Sequence, residues 1–136
     1  MNAFDNYVIA YGDSLSGTNV VVRVDTAGYV GINPNVAPTS RLDVNGSFGN
    51  AIRVTTVSTT LNEDDHTVII GPAAGAVTIT LPAAASFVRR EYVIVNRSTS
   101  NQAVTSYNDF SGTSVFVAAN SSITLQSNGI NWFRTH

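Results

Sequence analysis

A chain of 136 residues with net charge −2, an isoelectric point near 5.4 and no cysteine suits one compact domain with a short extension. It excludes a disulfide framework and a thiolate metal site. Hydrophobic residues make up 43% and charged residues 12%, against roughly 25% charged in an ordinary soluble domain, so Ser, Thr and Asn (14, 15 and 14 of them) must keep the surface wet. All seven basic residues are arginines, scattered from Arg23 to Arg134 with Arg89-Arg90 the one adjacent pair. A phosphate-binding stripe needs clustering, so nucleic acid is not an expected partner.

Eighteen Val and nine Ile against five Leu set the secondary-structure class. β-branched side chains fit a pleated strand, whereas Leu is the better helix former. In chain order, strands are predicted over Tyr7–Tyr11, Asn19–Val24, Tyr29–Ile32 and Arg41–Val44. Gly12-Asp13-Ser14 turns the first. Asp25-Thr26-Ala27-Gly28 turns the second, with Gly28 placed for positive φ. Asn33–Pro38 holds two prolines and reads as a loop, and Asn45-Gly46 as a tight turn. The opening Met1–Asp5 lacks a basic, apolar leader and does not read as a secretory signal. No apolar run approaches the ~20 residues that span a bilayer, so membrane insertion is not expected.

After Gly49 the texture changes. Ala51–Leu61 reads as one long strand rich in Val and Thr, Glu63-Asp64-Asp65-His66 as a polar turn, and Val68–Ile70 as a strand stopped by Gly71-Pro72. Val77, Ile79 and Leu81 alternate with Thr78 and Thr80, a period of two that buries one face. Ala83–Phe87 is the one helix-like piece. Tyr92–Val95, Ala103–Tyr107, Val115–Val117, Ile123–Leu125 and Ile130–Phe133 follow. Their spacing of about 8–12 residues is the rhythm of a sandwich or barrel. Asn128-Gly129 predicts a hairpin whose second strand carries Trp132 and Phe133, one facing in and the other out. No internal repeat is evident. The expected fold is all-β: an N-terminal extended segment of short strands (residues 1–50), then a small β-sandwich or jelly-roll-like domain (residues 51–136).

Two stretches resemble a known family. Gly28-Tyr29-Val30-Gly31-Ile32-Asn33, the Pro34–Pro38 loop and Leu42-Asp43-Val44-Asn45-Gly46 resemble a segment frequent in phage tail-fibre proteins and related trimeric surface fibres. Its usual form is Gly-x-Val-Gly-Ile-Gly, a Pro-containing loop, then Leu-Asp-Val-x-Gly. Asn33 stands where a third glycine is usual, and Asn tolerates positive φ better than other non-Gly residues. Val77–Pro82, Tyr92–Asn96 and Ser121–Trp132, closing on Leu125-Gln126-Ser127-Asn128-Gly129-Ile130-Asn131-Trp132, are similar to the small β domains that end many phage fibre and spike proteins. The resemblance implies a virion protein: a homotrimer that uses residues 1–50 for trimerisation or attachment to capsid, tail or baseplate proteins. It also implies contact with a host-surface glycan or protein. It carries no catalytic residue, cofactor or metal. A trimer would let short segments such as Tyr29–Ile32 and Arg41–Val44 bury their apolar sides. The alternative is that they fold back on their own C-terminal domain.

Other constellations read as structural. Glu63, Asp64, Asp65 and His66 have the chemistry of metal ligands or acid–base groups, but neighbours in one turn point apart. Tyr11-Gly12-Asp13-Ser14-Leu15 superficially resembles the nucleophile motif of Gly-Asp-Ser hydrolases. That family needs a following helix and a distant Asp-x-x-His, which this sequence lacks. Gly71–Ala76 lacks the Gly-Lys-Ser/Thr ending of a phosphate loop, and His136 ends the sequence. Core or inter-chain packing is the usual role of aromatics such as Tyr92 and Phe116. Tyr107, Phe110 and Trp132 are the candidates for surface recognition of a glycan. The expected function is therefore a non-catalytic structural virion protein (fibre, spike or decoration). The alternatives are a receptor-binding tip and, third, a polysaccharide-degrading tailspike, against which the two glutamates, Glu63 and Glu91, weigh.

Overall fold

The computed structural model describes residues 7–10, 20–33 and 37–136. The Met1–Asp5 opening, the Gly12-Asp13-Ser14 turn with its hydrolase-like motif, and the Pro34–Val36 part of the loop lie outside the described residues. Among the described residues the structure is all-β apart from one 3₁₀ turn at Ala84–Ser86, and the chain divides into two compact units, Met1–Gly49 and Asn50–His136.

The first unit carries a four-stranded sheet in the order β1 (Tyr7–Ala10), β2 (Val20–Val24), β3 (Val30–Ile32), β4 (Leu42–Val44). The first two pairings are antiparallel and the third is parallel. The β2–β3 turn forms because the Asp25 carboxylate accepts the N–H groups of Ala27 and Tyr29, each at 2.9 Å, and Gly28 takes φ +77°. Asn33 sits at φ +50°, the left-handed conformation the missing glycine would have supplied. Among residues 22–33 and 37–49, those of this unit whose burial is described, only Gly31 and Pro38 are buried.

The second unit coils. β5 (Ile52–Thr55), β7 (Thr67–Ile70) and β9 (Glu91–Asn96) form one parallel ladder, and β6 (Thr59–Thr60), β8 (Thr78–Thr80) and β10 (Gln102–Asp109) form another. The chain crosses between the ladders at every step. Antiparallel strands then finish the coil: β11 (Gly112–Val117) folds back on β10, and β12 (Ser121–Ser127) lies on β9. β13 (Trp132–Arg134) pairs β12 and touches β10 at Asn108, joining both ladders into one sheet. Val68, Ile70, Tyr92 and Ile94 from one ladder meet Ile79 and Val104 from the other in a single core. Each such side chain contributes about 1.5–3 kcal/mol by burial.

Two expectations need amending. Ala51–Leu61 is not one strand but two. The chain breaks at Thr56–Ser58, where the Thr55 hydroxyl donates to the Val57 carbonyl at 2.8 Å and accepts the Val57 N–H. This local turn starts the crossing from one ladder to the other. Second, a jelly roll is antiparallel, whereas here both central ladders are parallel. No sequence period betrays the coil because its turns differ in length.

At one end of the core a buried polar plug replaces apolar packing. The Asn96 side-chain N–H groups donate to the carbonyls of Ser100, Val117 and Ala118, at 2.8, 3.2 and 2.9 Å. Its oxygen accepts from the Ser98 backbone and hydroxyl. Gln102 donates to that hydroxyl and accepts the Val77 N–H at 2.7 Å. The β9–β10 crossing is thereby fixed without an unpaired amide.

Candidate functional site

The aromatic candidates separate. Trp132 is buried, stacks on Tyr92 at 5.1 Å between centroids, and donates its indole N–H to the Pro82 carbonyl at 2.8 Å. Tyr107 is buried and donates to the Phe116 carbonyl at 2.7 Å. Both rings are almost fully covered, and their exposed edges line a small polar cleft of about 160 Å³ with Ser106, Asn108 and Asn131. Trp132 points inward and its neighbour Phe133 outward, the opposite facing expected of that pair. Phe110 alone of the three is open, 75% exposed at the β10–β11 turn, with the Arg134 guanidinium 5.5 Å from its ring centre and Asp109 3.4 Å from that guanidinium.

The acidic turn also separates. Asp65 is buried rather than solvated, because Arg53 grips both its oxygens, at 2.8 and 2.9 Å. The backbone of Asn62 donates to the same carboxylate at 3.1 Å, and Arg53 reaches on to the Thr59 hydroxyl at 3.1 Å. His66 turns the other way, to Thr67 at 3.0 Å, Asn50 at 3.1 Å and Glu91 at 3.5 Å. Among the described residues no three His, Cys, Asp or Glu converge in a metal-binding group. Arg53 occupies an inward position on the edge strand β5, in register with Val68 and Ile94. It lies across the mouth of the coil and closes the core with a charge pair. Over it opens a polar cleft of about 530 Å³, lined by Ala51, Ile52, Arg53, Thr59, Thr60, Asn62, Asp64 and Asp65. Nothing in the spacing of Arg53 and Asp65 pointed to this clamp, since it depends on the β5–β7 register.

The two outer faces of the coil differ in chemistry. Register places Val54, Ile69 and Val95 in one row, and Ile52, Thr67 and Val93 in the next. Tyr92, Ile94 and Asn96 point inward, so Glu91, Val93 and Val95 point outward. The second ladder presents Thr60, Thr78, Thr80, Ala103 and Thr105 instead. The signal was present in the sequence: Val68-Ile69-Ile70 and Val93-Ile94-Val95 are unbroken apolar runs, the mark of strands covered on both faces, whereas Thr78-Ile79-Thr80 alternates.

No protein-family model, curated protein or solved structure matches the chain.

Proposed function

We propose that the protein is a non-catalytic structural component of a phage particle, a fibre, spike or decoration, acting as a homotrimer. The observation that carries the assembly is the first unit. Its strands are at most five residues long and Leu42 is 56% exposed, so one copy leaves apolar surface that several copies would cover. The number three and the virion setting come from the resemblance of Gly28–Gly46 and Ser121–Trp132 to fibre segments. The acidic turn supports a structural reading, because its buried carboxylate is spent on Arg53. Light scattering on the full chain is expected to give three copies at micromolar concentration, and a monomer would sink the assembly. Gold-labelled antibody on purified particles is expected to decorate capsid, tail or baseplate, which also decides among these partners.

A receptor-binding tip is the second reading. Exposed Phe110 beneath Arg134 favours it, since a ring and a guanidinium side by side suit a sugar. Host-cell or glycan-array binding that Phe110→Ala abolishes would move the function from scaffold to attachment. A polysaccharide-degrading spike would instead release reducing sugar from host capsule, and no release is expected.

A further inference from the structure

We infer that the aliphatic outer face of β5, β7 and β9 is where a second copy of this chain docks, with Arg97 of one copy meeting Glu91 of the next. The inference rests on the homotrimer reading and gives it a surface. Ile52 and Val54 stand 67% and 65% exposed on the edge strand, and Ile69, Val93 and Val95 continue the same face inward. The hydroxyl-rich face of the other ladder is an internal control. Both faces belong to parallel strands of one small unit, yet only one is mainly Val and Ile; on the other side the apolar neighbour of Ala103 is Phe116, on the antiparallel β11. A need for strand-forming residues alone would not distinguish them, because Thr also favours strands.

The ends of the face carry its orientation. Arg97 follows β9 in step, its N–H bonded to the Ile70 carbonyl at 3.0 Å, so the outward series reads Glu91, Val93, Val95, Arg97. An acid at one end and a base at the other match a neighbouring copy placed head to tail. Each Arg97 then reaches the next Glu91, whose other neighbour is His66 of its own chain at 3.5 Å, and a ring closes. A shallow hollow of about 360 Å³, lined by Val95, Asn96, Arg97, Asn120, Ser121 and Ser122, lies at the Arg97 end. There a carboxylate would find the guanidinium and two serines.

Area argues for a copy rather than a free partner. At ordinary strand rise and spacing, the face across β5, β7 and β9, whose strands are four to six residues long, is about 13–20 Å by 14 Å, roughly 250 Å². A stable complex of independent proteins needs about 800 Å² from each side. A face of about a third of that serves copies already gathered by another contact, because tethering raises their effective concentration into the millimolar range. The first unit supplies that contact in the homotrimer.

The absence of native cysteine makes the test direct. Full-length Val54→Cys and Thr78→Cys both place a thiol at a position exposed in the single chain. With scattering reporting a trimer, maleimide is expected to label Val54→Cys about tenfold or more slowly than Thr78→Cys, since a covered thiol reacts only on opening. A bis-maleimide is expected to join Val54→Cys copies into dimers on a denaturing gel and to leave Thr78→Cys unjoined. Ile52→Cys repeats the measurement should Val54→Cys misfold. Equal labelling in a trimer overturns the docking face and leaves the trimer standing. Protection without cross-linking in a trimer means that the chain covers its own face, and also overturns it. A monomer overturns both. Glu91→Arg and Arg97→Glu are each expected to raise the dissociation midpoint about tenfold, the worth of one close charge pair, and the double variant to restore it. A double variant weaker than either single one overturns the charge pairing.

Discussion

The two units are built from the same residue types and reach opposite results. The second buries Leu61, Val68, Ile70, Ile79, Tyr92, Ile94 and Leu125 almost completely, and the first buries, among its residues whose burial is described, Gly31 and Pro38. Composition does not explain the difference, because Val and Ile are plentiful in both. Path does. In the second unit the chain crosses between two ladders at each step, so every inward side chain meets one from the other ladder. The first unit has a single sheet of short strands, and a sheet buries its apolar face only against another layer. The second unit is equipped to fold as a body; under the homotrimer proposal the first would complete its burial against other copies.

The largest test of that contrast is truncation of the core. Tyr92→Ala removes a fully buried ring that stacks on Trp132 and lies 6.4 Å from Phe87, and is expected to destabilise the second unit by about 3–5 kcal/mol in urea unfolding. Leu42→Ala in the first unit is expected to change stability by less than about 0.5 kcal/mol in dilute protein. At higher concentration it is expected to weaken the proposed homotrimer. A large, concentration-independent effect of Leu42→Ala would mean that the first unit has a core of its own. Next in size, Asn96→Ala removes the amide that donates to three carbonyls, one of these bonds fully buried, for an expected loss of about 2–3 kcal/mol. A loss below about 0.5 kcal/mol would show that the plug is not needed to hold the β9–β10 crossing.

Much of this contrast was legible. The β class follows from the Val and Ile excess, and the turns from Asp25–Gly28 and Asn128-Gly129, whose glycines take φ +77° and +91°. That Trp132 and Phe133 face opposite ways follows from alternation, but which of them turns inward does not. What remained hidden depends on pairing between distant segments. Parallel and antiparallel strands share a period of two, so alternation alone could not reveal the coil. Its nearest signal, the unbroken run Val93-Ile94-Val95, is short enough to pass for any buried strand. The Arg53–Asp65 clamp needed the β5–β7 register, and the burial of Tyr107 and Trp132 needed Phe116 and Pro82 as carbonyl partners. Aromatic residues alone say nothing of which way they face.

The clamp sets a smaller test, at the open mouth of the second unit. Asp65→Ala strands a guanidinium that is 40% exposed. Water takes over part of its solvation, so the expected loss is about 1–2 kcal/mol rather than the 3–5 of a fully buried pair. In the first unit Gly28→Ala forces a side chain into φ +77°, with an expected loss of about 1 kcal/mol that appears as trimer weakening if that unit folds only in assembly. A melting shift in the monomer instead would place its folding within one copy.

The smallest effect is a pH dependence tied to the second unit's core. Tyr92 donates to the Asn62 carbonyl at 2.7 Å. Burial holds its hydroxyl above the usual value of 10.0; the Arg90 charge opposes this, while Asp65 and Glu63 reinforce it. The folded state therefore keeps the phenol proton more tightly than the unfolded chain does. The resulting stability is fully present below the unfolded value and is lost as pH climbs through the raised folded one. Tyr92→Phe removes that hydrogen bond, with an expected loss of about 1 kcal/mol near neutrality. From about pH 9 to about pH 11 the unaltered chain should lose more stability in urea than Tyr92→Phe, because the variant has no proton to give up at that site. Equal slopes in the two proteins would mean that the phenol titrates alike folded and unfolded, and that Tyr92 meets solvent where the closed core requires that it should not.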